Sequence, residues 1–360
     1  MAAPTEVLWD LEPHSVGKHR LLRKYLDAWL PILAQAGYRR ILLVDGFAGP
    51  GRYRGGEDGS PIIMLKAFLE HRSRAVISRS ELLYFFIERD GARLEHLLGE
   101  ISTLMPTPPA NVKVRPIRGE FREVMADVLA QVGLPVPTFV FIDPFGYEQN
   151  RVELTSSILG YSTCEVLVYL PTRFIARFMA EPDTAEALSH LYGGQEWRDG
   201  IDLTGRARLD FLRDLFATKL RRSATHVRSF EIATAGGGGY DLFFATNSRR
   251  GLEKMKDAMW AVDPERGERF RDTTRRDQLV LFEPEPDPIP LLRLLQHRFG
   301  REPFTVQEAV DFVLFDTAYH PGKHLKRMTL MPAEARGELV VDRGAARRGS
   351  YPEGAVLRFA

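Results

Sequence analysis

Four short apolar runs in this chain each end at an acidic residue beside a glycine or proline turn. That recurrence constrains the fold more than any other feature. Residues 41–44 lead to Asp45, residues 82–87 to Glu88, residues 112–117 to Gly119 and Glu120, and residues 138–142 to Asp143. Between them the apolar spacing is helical. Residues 18–33 put Leu21, Leu22, Tyr25, Leu26, Trp29 and Leu33 on one face. Residues 61–70, a segment carrying Leu94, Leu97 and Leu98, and residues 121–129 read the same way. Residues 166–170, 230–234 and 241–246 add further strands, and residues 252–260 a further helix. Strands without polar alternation must be buried on both faces. Alternating with helices, they predict an α/β fold: a mostly parallel, Rossmann-like sheet with helices on both faces. Such sheets bind ligands beyond the carboxyl ends of their strands, where these acids fall.

Of 360 residues, 44% are hydrophobic and 27% charged. This fits a folded globular protein and excludes a mainly disordered chain, a collagen-like repeat and a coiled coil. No run approaches the roughly 20 apolar residues that span a bilayer, so no membrane association is expected. The N-terminal stretch lacks the apolar core of a signal peptide. The one cysteine, Cys164, excludes an internal disulfide framework and a cysteine-rich zinc site. A cytoplasmic setting is therefore expected. The formal net charge is +1. Basic residues concentrate at Arg206, Arg208, Arg213, Lys219, Arg221, Arg222 and Arg228, and at Arg266, Arg269, Arg271, Arg275 and Arg276. These are either a phosphate-holding surface or solvated helix faces with local ion pairs. The proline-rich stretch EPEPDPIP, residues 283–290, reads as a semi-rigid linker between domains at 1–282 and 291–360.

The segment ILLVDGFAGPGRY, residues 41–53, carries Asp45, Gly46, Gly49 and Gly51. Glycines let a backbone turn sharply and approach a ligand closely. The spacing is not the dinucleotide fingerprint, and no P-loop lysine follows. The loop is therefore either a nucleotide-type cofactor cradle or a bare strand-to-helix turn. An acid at the second strand tip, Glu88, suits ribose hydroxyls. Glu120 suits an adenine amino group, with Phe121 packing nearby. Asp143 stands before Pro144, Phe145, Gly146 and Tyr147. Each acid alone is a common cap or turn residue; four at successive tips, with the glycine loop, favour a site.

The series resembles a class I S-adenosylmethionine-dependent methyltransferase over roughly residues 40–250. VDGFAGPG resembles its first motif, Glu88 and Glu120 its second- and third-strand acids, and Asp143-Pro144-Phe145-Gly146 its fourth motif. DPFG departs by one residue from the usual amino-methyltransferase form and is similar to that of tRNA guanine-N2 methyltransferases. The first motif and the upstream helix also look like bacterial 23S rRNA adenine-N6 methyltransferases. A fuller resemblance is to the three-Cys-motif partner family. It covers Trp9, His14, Ser15, Lys18 and His19, then Tyr25, Trp29, Asp45–Tyr53, Gly59–Pro61, Ile87–Asp90, Asp143–Tyr147 and Phe244–Asn247.

These resemblances imply S-adenosyl-L-methionine as cofactor, held by Asp45, Gly46, Phe47, Gly49, Gly51, Glu88 and Glu120. They imply catalytic positions at Asp143, Pro144, Phe145 and Tyr147, and substrate contacts at His14, Lys18, His19 and Tyr53. No metal is expected, because the two histidines have no acidic or thiolate partner of matching spacing. The implied activity is methyl transfer to an exocyclic amine of a nucleic-acid base or nucleoside. Asp143 and the Pro144 carbonyl would accept the amine hydrogens and an aromatic ring would stack on the base. The alternative is a non-catalytic or differently catalytic partner that binds a nucleic acid or a protein complex, possibly a three-Cys-motif protein.

Residues 289–299 form an amphipathic helix, and Thr305 with Glu308 spells a capping box for the next helix, to about residue 315. A Pro321-Gly322 turn precedes a basic helix with Lys323, His324, Lys326 and Arg327. Strands at 339–342 and 356–359 flank an Arg/Gly-rich hairpin, residues 343–349. This order predicts a C-terminal winged-helix domain, whose partner is nucleic acid or protein.

Overall fold

The computed structural model describes residues 6–13, 15–133, 135–233, 239–271, 289–347 and 349–360. His14, most of the glycine run at 236–239, Arg275, Arg276 and linker residues 283–288 lie outside them. By its contacts the chain divides into two compact units, the first being Met1–Lys254 with Arg269–Arg275, the second Met255–Glu268 with Arg276–Ala360.

The first unit is built on eight strands. They are β1 (Arg40–Asp45), β2 (Glu81–Glu88), β3 (Val112–Arg118), β4 (Thr138–Ile142), β5 (Cys164–Leu170), β6 (His226–Ala233), β7 (Gly239–Thr246) and β8 (Arg269–Arg271). Their order is β3-β2-β1-β4-β5-β7-β6-β8. The first five are mutually parallel. β7 runs antiparallel to both neighbours, because a hairpin returns it from β6 into the gap beside β5. The result is a Rossmann-like, mixed α/β sheet. β4 and β5 are buried along their whole length, which their unbroken apolar runs require. β3 is an edge strand and half exposed, so it tolerates Pro116.

Sequence periodicity does not reveal the insertion between β5 and β6, which contains helices Thr172–Phe178, Ala185–Tyr192 and Gly205–Leu220. The basic stretch beginning at Arg206 lies largely on the last of these. Arg208 donates to the carbonyls of Leu203, Ala176 and Ile201 at 2.6–2.7 Å. Arg213 pairs with the buried Asp241 at 2.9 Å, and the buried Lys219 with Glu196. These cations hold the insertion together rather than present a phosphate surface.

The N-terminal helix, Ser15–Gln35, lies on the sheet through Leu21, Leu22, Tyr25, Leu26 and Trp29. The Tyr25 ring sits 5.4 Å from Phe139 and 5.0 Å from Phe244. Its hydroxyl donates to Glu165, which also accepts from Thr246 Oγ1 at 2.8 Å. Glu165 is fully enclosed, and burial raises its pKa. This polar knot ties the helix to β5 and β7, and so fixes where Lys18 and His19 emerge. Tyr25→Phe is expected to lower unfolding stability by about 1–3 kcal/mol, because a buried carboxyl loses a donor. Urea unfolding of the variant measures this.

The second unit has its own core, from Leu291 and Leu295 through Val306, Val313 and Leu325 to Leu357 and Phe359. Helix Ile289–Phe299 is followed by β9 (Phe304–Thr305) and helix Val306–Asp316, with the expected capping box at Thr305 and Glu308. A π-helical segment, Pro321–Leu330, runs into helix Met331–Ala335. β10 (Leu339–Asp342) and β11 (Val356–Phe359) complete a sheet of order β10-β11-β9. Helix Ile289–Phe299 takes in the last two residues of the stretch read as linker. Three residues read as basic make contacts within this unit. His324 is buried 4.1 Å from the Trp260 ring, and burial lowers its pKa to about 4. Lys323 pairs with Asp257 at 3.0 Å, and Arg343 grips Glu334 with both contacts at 2.6 Å.

Candidate functional site

β1 has β2 on one side and β4 on the other, so the strand order changes direction at its carboxyl end. The loop that leaves this end is fastened to both neighbours. Gly46 N–H donates to the Phe141 carbonyl and Ala48 N–H to the Ile87 carbonyl, both at 2.9 Å. Gly49 N–H donates to the Glu88 carboxylate at 2.9 Å, and Glu88 also accepts from Asp90 N–H at 2.9 Å. A Cβ at Gly46 would lie 2.7 Å from the Phe121 ring. One at Gly51, where φ is +80°, would lie 2.6 Å from Leu97 Cδ1. The glycines are therefore required by the fold of the loop as well as by any ligand.

Two adjoining hollows open above this loop. The larger, about 200 Å³, is lined by Trp9, Lys18, His19, residues 47–53, residues 143–146, Tyr169 and Tyr240. The smaller, about 30 Å³, lies between Gly46, Phe47, Glu88, Arg93, Glu120 and Phe145. Phe47 and Phe145 line both. Asp45 is entirely buried beneath. One of its oxygens accepts from Phe47 N–H at 3.1 Å, while Oδ2 makes no hydrogen bond of normal geometry. Burial pushes Asp45 up to about 7, with the Asp143 charge adding, against the pull of the Ser60 hydroxyl, Phe47 N–H and Lys18. Glu120 stands at the N-cap of helix Phe121–Val132, yet its side chain makes no capping bond.

On the other side of the larger hollow, Lys18 Nζ pairs with the Asp143 carboxylate and lies 5.9 Å from the Tyr240 ring centre. Burial, then the Lys18 charge, lowers His19 to about 3, so its ring is neutral. Burial and the Asp143 charge raise Tyr53, Tyr169 and Tyr240, which therefore stay protonated. Residues 6–13 form a strap against the larger hollow, which its Trp9 and Glu12 line. Arg54 N–H donates to the Trp9 carbonyl at 2.9 Å. The Trp9 ring meets Phe145 at 5.1 Å and Tyr53 at 5.9 Å. The Arg93 guanidinium lies 5.0 Å from the Trp9 ring and 5.4 Å from that of Phe145.

Gly46, Phe47, Gly49, Gly51, Glu88, Glu120, Asp143, Pro144, Phe145, Lys18, His19 and Tyr53 thus gather around one cleft, with Asp45 enclosed beneath it. Tyr147 does not join them. It is buried in the core, 5.9 Å from the Phe174 ring, and lines an adjoining cleft that shares Phe145 and Gly146 with the larger hollow. Gly146, at φ +94°, turns the chain so that Phe145 and Tyr147 diverge. Arg93 has no motif around it, and nothing in the sequence singles it out. Among the described residues, no group of three His, Cys, Asp or Glu side chains is placed to hold a metal, and no helix is long and apolar enough to cross a membrane.

No family model matches the chain, and no curated protein matches it either. Solved structures with similar backbones include Trm1 from Pyrococcus horikoshii in complex with S-adenosyl-L-methionine. It shares 12% identity over 71% of this chain and 61% of that one, less than two thirds of its length, with a TM-score of 0.38. The O-methyltransferase TomG from Streptomyces achromogenes, in complex with SAM, shares 16% identity over 66% of this chain and 92% of its own, at 0.33. The O-methyltransferase from Bacillus cereus, in complex with SAH, shares 16% over 66% and 82%, at 0.34. At these scores, the description of the fold rests on the chain's own strand order.

The two strand-tip acids divide by role. Glu88→Ala removes the acceptor of two backbone N–H groups and is expected to destabilise the protein by about 1–3 kcal/mol. Glu120→Ala is expected to stay within about 0.5 kcal/mol. Parallel urea titrations compare them.

Proposed function

We propose that this chain is an S-adenosyl-L-methionine-dependent methyltransferase that acts on an exocyclic amine of a nucleic-acid base or nucleoside. The observation that carries this reading is an Asp45 oxygen enclosed beneath the cleft without a hydrogen bond of normal geometry, together with an Asp143 carboxylate lining the cleft and already holding an ammonium. The residues fit the cofactor. Asp45 Oδ2 suits its amino group, the glycine loop leaves room for its backbone, and Glu120 is uncapped toward an adenine amino group. Glu88 retains lone pairs for ribose hydroxyls beyond the two backbone donors it holds. When bound, the cofactor supplies an electrophilic methyl group on a sulfonium.

The rest of the chemistry belongs to this chain's own residues. An exocyclic amine has its lone pair delocalised into the base. Asp143 and the Pro144 carbonyl accept its hydrogens and orient that lone pair. Phe145, 40% exposed, offers a stacking face worth about 1–3 kcal/mol per base. The contribution is positioning rather than strong base catalysis. Lys18 must leave Asp143 for a substrate amine to take its place. On this reading the second unit is a winged-helix-like docking module for nucleic acid or protein.

A second reading is a binding partner without this activity, in line with the resemblance to the three-Cys-motif partner family. The observation that favours it is the narrowness of the Glu88–Glu120 hollow, about 30 Å³ against about 200 Å³ for its neighbour. Adenosine entry there therefore requires Phe145 and Arg93, which line it, to move.

Calorimetry with S-adenosylhomocysteine distinguishes the two. Asp45 is held up to about 7, so below that pH it is protonated and neutral. A ligand ammonium favours the ionised form. Affinity should therefore rise up to about tenfold per pH unit below 7 and level off above it. Asp45→Asn should flatten the profile, and absence of binding at every pH would remove the first reading. Asp143→Ala is expected to abolish transfer of labelled methyl to RNA, DNA or nucleosides while cofactor affinity stays within several-fold. Retained turnover would put the acceptor elsewhere.

A further inference from the structure

Among the described residues, Lys18 is the one amine that lines the larger hollow. Its side chain is buried on the N-terminal helix, and its Nζ donates to Asp143, the contact assigned above to the substrate amine. The walls around it are aromatic. Tyr240 lies 5.9 Å from Nζ, Tyr169 packs 4.7 Å from Tyr240, and Trp9 and Tyr53 also line the hollow. Aromatic faces with a carboxylate at the end are the chemistry of an alkylammonium site.

We infer that Lys18 is itself an acceptor, and that the protein methylates its own Lys18 Nζ. The inference rests on the cofactor reading above. With no substrate present, a methyl aimed at an amine on Asp143 is aimed at this nitrogen. An ammonium has no lone pair, so Nζ first gives a proton to Asp143, which passes it to solvent through the open cleft. The neutral nitrogen then forms the N–C bond as the S–C bond breaks. Its electron pair returns to sulfur, leaving a neutral thioether and a positively charged methylammonium. No further reactant is needed. The product keeps its charge but loses one N–H donor. Each round therefore weakens the hydrogen bonding between Lys18 and Asp143, and a fully methylated Lys18 leaves the carboxylate without an N–H donor from this side chain.

The test uses the full chain, as purified and after incubation with S-adenosyl-L-methionine carrying a deuterated methyl group. Peptide mapping by mass spectrometry locates methyl groups, and an S-adenosylhomocysteine isotherm is recorded on the same sample. The expected result is methyl label on the peptide containing Lys18, blocked by excess S-adenosylhomocysteine and absent in Lys18→Arg. Asp143→Asn should acquire label at least roughly tenfold more slowly. Ligand binding with Lys18 unlabelled, or label confined to other residues, overturns the inference and leaves the cofactor reading standing. Absence of ligand binding overturns both. Because mapping is done on the unaltered chain, a variant that fails to fold does not weaken the test.

Discussion

The bond from Gly49 N–H to the Glu88 carboxylate locks the loop of the first strand to the tip of the second, and the rest of the site is built outward from it. Once that loop is fixed, Asp45 has nowhere to go but inward, and Phe47 is held between the two hollows. β4 closes the other side by accepting from Gly46 and delivering Asp143 at its end. The N-terminal helix, tied down by Tyr25 and Glu165, then brings Lys18 to Asp143. Each of these steps follows from a strand ending where its apolar run ends.

Much of this is legible in the sequence because the relevant signals are local. An apolar run stops at an acid, a glycine cluster follows a strand, and a Thr305/Glu308 pair starts a helix. The β4, β10 and β11 boundaries coincide with their apolar runs for that reason. What is not legible depends on long-range packing. Tyr147 follows the DPFG turn, so sequence places it beside Asp143, but the positive φ of Gly146 sends it into the core. Arg93 reaches the cleft only because its helix faces the Trp9 strap. His324 looks basic in sequence and is neutral in the core, since burial decides its protonation. The insertion between β5 and β6 is hidden because its helices use arginine and lysine as internal ties, which disguises their buried faces.

The site is also where the molecule carries its least comfortable groups. Asp45 is raised from 3.8 to about 7, so as pH climbs through that window the unfolded chain releases its proton first and the native state loses relative stability. A ligand cation would reverse that penalty, which makes ligand binding and stability two views of one interaction. The strap adds a second reserve. Trp9, Arg93 and Phe145 pack against one another beside the smaller hollow, which Arg93 and Phe145 line, and that packing must be exchanged for a ligand's.

The most direct measurement is a crystal structure of the protein soaked with S-adenosylhomocysteine. The ligand's amino group should lie on Asp45, its base beside Glu120, and its sulfur facing Asp143, with Trp9 and Phe145 displaced from their mutual contact. A cleft still filled by Trp9, Arg93 and Phe145 at saturating ligand, or a ligand bound away from these strand tips, would contradict the account.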